Sequence, residues 1–173
     1  MIRVVITGSE STGKTTIGQQ LAEHYHAGFV PEFVRDYAAR KGGEIDFADH
    51  GPIARGQIAL EDEYVARGGR LLVQDTDLLS TVVYCGHYFG RCPAWIERTA
   101  RDRRPDLYLL MEIDVPWIPD PVRDRGHLRD EMQQLFRDAV RASGAPYEII
   151  EGDWPARLER AVRAIDGLLE SSP

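Results

Sequence analysis

The sequence predicts an α/β fold: five parallel strands in one sheet, with helices on both faces. Three observations carry that prediction. Short apolar runs alternate with helical patterns along the whole chain, which argues for a covered parallel sheet. The segment Gly8-Ser-Glu-Ser-Thr-Gly13-Lys14-Thr15 matches G-x-x-x-x-G-K-[ST] in full. That segment follows an apolar strand and opens a helix, the context in which such a pattern binds phosphate. Together they specify a P-loop NTPase fold.

The elements follow in order. Residues 1–7 form an apolar run ending in glycine, the shape of a buried parallel strand. Residues 14–26 place Ile17, Leu21 and Ala22 at helical spacing. Residues 27–31 give a second strand closed by Pro31, and 32–40 a helix. A long helix over 52–67 is stopped by Gly68-Gly69. Residues 70–74 are the third strand, with Asp75-Thr-Asp77 at its carboxyl end. Residues 106–113 are the fourth strand, 128–143 a helix, 147–150 the fifth strand and 154–169 the last helix. The chain of 173 residues reads as a single domain, with a lid at about 116–130. Every chemistry-bearing segment falls at a strand's carboxyl end, where ligands bind in open parallel sheets.

Composition narrows the class. Hydrophobic residues make up 43%, enough for a core. The net charge of −7 does not favour bulk binding to a phosphate backbone, so no nucleic-acid partner is expected. Cys85 and Cys92 lack metal-ligand spacing and read as reduced thiols. No apolar stretch reaches membrane-helix length, and no signal peptide opens the chain. A cytoplasmic protein with a small-molecule substrate and no membrane partner is expected; oligomeric state is left open. The length is too short for a large AAA-type motor module.

The phosphate loop assigns the first site. Gly8, Ser9, Glu10, Ser11, Thr12, Gly13, Lys14, Thr15 and Thr16 are candidate ATP-binding residues. Glycines let successive N–H groups turn inward around phosphate oxygens. Lys14 reaches the β- and γ-phosphates, and the Thr15 hydroxyl is a ligand for Mg²⁺. The chain contains no Asn, so the Asn-Lys-x-Asp segment with which Ras-type GTPases read guanine cannot exist. The third strand ends in Asp75-Thr-Asp77 rather than the Asp-Glu of ATP-driven motors. A small-molecule kinase is the leading class, built like the nucleoside and nucleotide kinases.

A kinase also orients an acceptor hydroxyl and excludes water. Glu32, after the second strand, is the candidate base, with Arg35 at i+3 on the same helical face. Asp75 is a candidate catalytic and Mg²⁺-binding group. Asp77 is a candidate substrate contact or a helix N-cap. Arg91 is a further candidate substrate contact. Arg123 and Arg125, in the proline-flanked loop after the fourth strand, are candidates to meet the transferring phosphoryl group. Trp154 is a candidate adenine flank and Trp117 a candidate stacking partner for the substrate; packing is the alternative for both. Arg98, Arg101, Arg103 and Arg104 read as a solvated helix face.

Across nearly the whole chain, the segments ITGSESTGKTT, VPEFVRDY, ARGQIALEDEY, QDTDLLSTVVY, YFGRCPAW, DVPWIPDPVRD and EGDWPARL occur in one order. In that order they resemble the nicotinamide riboside kinase domain of NadR-type proteins. The resemblance implies ATP with Mg²⁺ and transfer of the γ-phosphate to the 5′-hydroxyl of nicotinamide riboside. It carries Lys14 and Thr15 onto the family's phosphate loop, Glu32 and Arg35 onto its acidic motif, Asp75 and Asp77 onto its DTD motif, and Arg123 onto its lid arginine. Two departures stand out. The family's adenylyltransferase domain is not seen in this chain, and Pro31 replaces the aromatic residue that some relatives place before the glutamate. A kinase for another nucleoside or small alcohol, or a regulatory ATPase without an acceptor, are the alternatives.

Overall fold

In the computed structural model, which describes residues 1–116 and 128–171, the strands are β1 (Ile2–Thr7), β2 (Gly28–Val30), β3 (Leu71–Asp75), β4 (Leu107–Met111) and β5 (Tyr147–Ile150). The helices are α1 (Lys14–His24), α2 (Phe33–Lys41), α3 (His50–Ala66), α4 (Leu78–Phe89), α5 (Ala94–Asp102), α6 (Arg129–Ser143) and α7 (Trp154–Ser171). A short 3₁₀ turn at Phe47–Asp49 leads into α3. All strand pairings are parallel, in the order β2-β3-β1-β4-β5. The expected five-stranded parallel sheet is therefore present. The sequence reading placed no element over α4, an apolar segment whose periodicity does not separate buried helix from strand.

Strand alternation sorts the side chains onto two faces. Val4, Ile6, Val73 and Leu109 meet Ile17 and Leu21 of α1 and Ala161 and Ile165 of α7. Val5, Tyr108 and Leu110 point the other way, onto Val83 of α4 and Met132, Phe136 and Val140 of α6. Strands β1, β3 and β4 are buried almost throughout, which is why they read as unbroken apolar runs. Among the described residues, no helix is long and apolar enough to cross a membrane.

Helix α6 offers a paired measure of this core. Phe136 is fully buried, its ring edge-on to Tyr84 at 5.5 Å, while its neighbour Leu135 is 36% exposed. Phe136→Ala is expected to cost about 3–5 kcal/mol of unfolding free energy by urea denaturation. Leu135→Ala should stay within about 0.5 kcal/mol.

Candidate active site

The phosphate loop runs from β1 to α1, and two of its glycines are fixed by close approach. Gly8 has φ 126°, and a Cβ there would lie 2.7 Å from the Met111 carbonyl oxygen. Gly13 has φ 83°, and a Cβ there would lie 2.4 Å from the Trp154 ring. Trp154 thus packs on the loop itself, about half exposed, with the Arg157 guanidinium 5.6 Å from its ring centroid. Of the two roles expected for Trp154, packing is the one that this contact shows.

The loop's carbonyls are held from outside by residues far along the chain. Gln133 Oε1 accepts from the Ser9 N–H at 3.1 Å, and Gln133 Nε2 donates to the Met111 carbonyl at 2.9 Å. Arg129 donates to the carbonyls of Ser11 at 3.1 Å and Val115 at 2.8 Å. Arg157, fully buried, donates to Thr12 O at 3.1 Å, Glu112 O at 2.9 Å and Gly152 O at 2.8 Å, and pairs with Asp114. Within the loop, Thr12 Oγ1 donates to the Ser9 carbonyl at 2.9 Å. Lys14 Nζ, also buried, donates to Gly8 O at 3.1 Å and Ser9 O at 2.7 Å. Residues Arg129, Gln133 and Arg157 were not predicted as site residues. The motif spans eight contiguous residues and carries no trace of partners more than a hundred positions away.

The side chains of the loop differ in where they lie. The Glu10 side chain is buried and accepts from Tyr84 Oη at 3.1 Å and Ser9 Oγ at 3.2 Å. Thr16 sits exposed in the first turn of α1. Thr15 Oγ1 donates to Asp75 Oδ2 at 2.5 Å, joining the loop to the end of β3.

Asp75 and Asp77 flank Thr76, a β-branched residue held at φ 66°, a strained conformation maintained by burial and by its N–H bond to Ile6 O at 2.9 Å. Asp75 Oδ1 is buried without a hydrogen-bond partner among the described residues. Two hard oxygen donors, the Thr15 hydroxyl and this carboxylate, suit Mg²⁺, which takes few protein ligands and keeps phosphate and water as the rest. The Asp75 carboxyl is pushed upward by burial and by the Glu32 carboxylate, against the opposing pull of Lys14 and the Thr15 bond. Asp77 is the α4 N-cap: Oδ1 accepts from Leu79 N at 3.0 Å and Oδ2 from Tyr108 Oη at 2.7 Å. Burial raises it to about 6. It also lines the adjoining cavity.

That cavity, of about 970 Å³, opens beside β2 and β3. Glu32, Arg35 and Asp77 all line it. Glu32 occupies the N-cap position of α2, but its side chain does not cap; Oε2 pairs with Arg35 Nε at 3.0 Å. The cap is supplied by Gln57, whose Oε1 accepts from the Phe33 N–H at 2.9 Å. Gln57 in turn donates to the buried Glu61 at 3.3 Å, which Arg103 meets at 3.1 Å. Arg103 is thus an ion-paired anchor rather than part of a solvated face. Arg91 is exposed, stacked 4.3 Å over the Phe47 ring, and is not among the residues lining the cavity. Trp117, Arg123 and Arg125 lie outside the described residues. Cys85 and Cys92 are free thiols.

The raised Asp75 carboxyl carries a stability consequence. A carboxyl held above its unfolded value favours the folded state when protonated, and that contribution is lost as pH rises through the folded value. Ionising the buried group therefore destabilises the ligand-free protein. Asp75→Asn is expected to raise its thermal midpoint at pH 7.5 while removing turnover. The gain should shrink as pH falls through the raised folded value toward the ordinary carboxylate range, checked by thermal melts across pH.

Known proteins bear on this geometry. The chain is 29% identical over 169 residues to the trifunctional NAD biosynthesis/regulator protein NadR of Escherichia coli (strain K12), covering 94% of this chain and 41% of the relative. The NadR protein of Salmonella typhimurium (strain LT2) is 28% identical, with 96% and 42% covered. The chain thus spans about two-fifths of the length of these curated relatives. A crystal structure of NadR protein in complex with NR superimposes with a TM-score of 0.83 at 25% identity, over 99% of this chain and 52% of that one. Thymidylate kinase from Ehrlichia chaffeensis shares the fold, at a TM-score of 0.70 and 13% identity over 95% of this chain and 98% of that one. A family model described as an AAA domain covers residues 3–157, from β1 to Arg157, and the chain belongs to this family.

Proposed function

We propose that the protein transfers the γ-phosphoryl group of ATP to the ribose 5′-hydroxyl of nicotinamide riboside, giving nicotinamide mononucleotide. The observation that carries this reading is the charge of the cavity beside the phosphate loop. Among the described residues, Glu32, Glu44, Asp46 and Asp77 line it against a single guanidinium, Arg35, itself paired with Glu32. An acceptor that already bears a phosphate would meet like charge there. A nucleoside with a cationic pyridinium ring meets opposite charge. Tyr84 and Tyr88 also line the cavity with near-parallel rings 6.1 Å apart, and aromatic faces attract cations. Similarity to NadR proteins, one of them solved with NR, supports the same reading.

The chemistry follows from the residues present. Glu32 takes the proton of the 5′-hydroxyl as its oxygen bonds to the γ-phosphorus. The bond from that phosphorus to the β–γ bridging oxygen breaks, and ADP leaves. Lys14, already within the loop, balances charge on the phosphoryl oxygens. Thr15 and Asp75 would hold Mg²⁺, which supplies further neutralisation of the phosphates. Arg123 and Arg125 are proposed to meet the transferring group. Asp77 holds α4 in register at the cavity floor, and Trp154 flanks the nucleotide.

The direct test is ADP release with Mg-ATP and a panel of acceptors, with product mass checked. Phosphorylated nicotinamide riboside is expected, with turnover at least about 10²-fold lower in a folded Lys14→Ala variant. ADP without a phosphorylated product would make the protein an ATPase, and phosphorylation of a nucleotide alone would overturn the acceptor reading. Glu32→Gln is expected to lower kcat by about 10²–10⁴-fold with acceptor binding retained, measured by steady-state kinetics and calorimetry. Unchanged turnover would remove Glu32 from the base role.

A further inference from the structure

We propose that Glu10 and Tyr84 couple the phosphate loop to the acceptor cavity, with Glu10 as a positioning residue that sets Tyr84 according to the loop's occupancy. The inference rests on the reading above only in taking the cavity as the acceptor site.

The phosphate-loop pattern leaves position 10 free, and a carboxylate there is unexpected in a loop that binds an anion. Like charge keeps it from facing the phosphates. Its side chain instead leaves the cradle: Oε2 accepts from Tyr84 Oη at 3.1 Å and from Ser9 Oγ at 3.2 Å, with 1% of the residue exposed. Tyr84 stands 74 residues away on α4, buried at 5%, with its ring on the cavity wall beside Tyr88. The phenol of a cavity residue is therefore tethered to the nucleotide loop.

The loop also has a contact that the nucleotide changes. Lys14 Nζ now donates to the carbonyls of Gly8 and Ser9. Phosphoryl oxygens are stronger acceptors and compete for the ammonium group. Losing the ammonium leaves the Ser9 carbonyl with the Thr12 hydroxyl at 2.9 Å and loosens the residue whose hydroxyl holds the Glu10 carboxylate. A buried carboxylate left short of donors is costly, so the Tyr84 hydroxyl and the carboxylate move together. Moving Tyr84 shifts one ring of the Tyr84–Tyr88 pair, and acceptor affinity becomes linked to nucleotide binding.

Fluorine NMR of protein carrying meta-fluorotyrosine tests this without any acceptor, the Tyr84 signal being assigned by its loss in Tyr84→Phe. Adding Mg²⁺ with a non-hydrolysable ATP analogue is expected to shift the Tyr84 signal. In Glu10→Gln the analogue should still bind by calorimetry, but the shift should fall by more than half. A stationary Tyr84 signal in the unaltered protein, or an equal shift in Glu10→Gln, overturns the coupling. The companion measurement is nicotinamide riboside affinity with and without the analogue. An enhancement of about fivefold or more is expected, dropping below about twofold in Tyr84→Phe and in Glu10→Gln, with the double variant no lower. Undiminished enhancement in Tyr84→Phe overturns the coupling. Nicotinamide riboside failing to bind while the Tyr84 signal responds overturns the acceptor reading and supports the coupling.

Discussion

The site depends on one buried cation. Arg157 places its guanidinium under the phosphate loop and donates to carbonyls from three segments: Thr12 of the loop, Glu112 after β4 and Gly152 after β5. A charge with no exposed surface is expensive unless every donor is used. Here the carbonyls and Asp114 together make that burial tolerable. With the Thr12 and Ser11 carbonyls engaged by Arg157 and Arg129, two cations stand against the loop, a charge that an anion site favours. The same Arg157 contacts tie the segments after β4 and β5 to the loop that follows β1.

The acceptor side is built by a different principle. Helix α2 buries none of its residues, so packing alone cannot aim Glu32. A hydrogen-bond chain does so instead, from the Phe33 amide through Gln57 to Glu61 and its arginines. Glu61 is nearly inaccessible, and burial raises its carboxyl against the pull of Arg103 and Arg3. The far end of α2 is tied down by Lys41, whose ammonium meets Asp46 at 3.0 Å and also pairs with Asp49. Two polar clasps thus hold a solvent-facing helix over the cavity, one of them made by one of the protein's two lysines.

The strands and the phosphate loop were legible because their information is local. A buried parallel strand is a contiguous apolar run, and a phosphate loop is eight contiguous residues with a fixed physical task for each. Glu32, Asp75 and Asp77 were legible because strand carboxyl ends converge on one sheet edge. Asp77 carries the helix cap, the one of its two expected roles that the structure shows, and it also lines the cavity. Helix α4 was missed because a short apolar stretch has no face to reveal its period.

Sequence alone determined the class of fold, the loop and which acids stand near it, since each follows from neighbours along the chain. Tertiary structure decided everything that joins distant segments. It put Arg157, Arg129 and Gln133 on the loop, gave Gln57 the cap of α2, turned Glu10 away from the cradle toward Tyr84, and left Arg91 on Phe47 outside the cavity lining. A buried donor or acceptor takes whichever partner packing brings within reach, and that choice leaves no local pattern in the sequence.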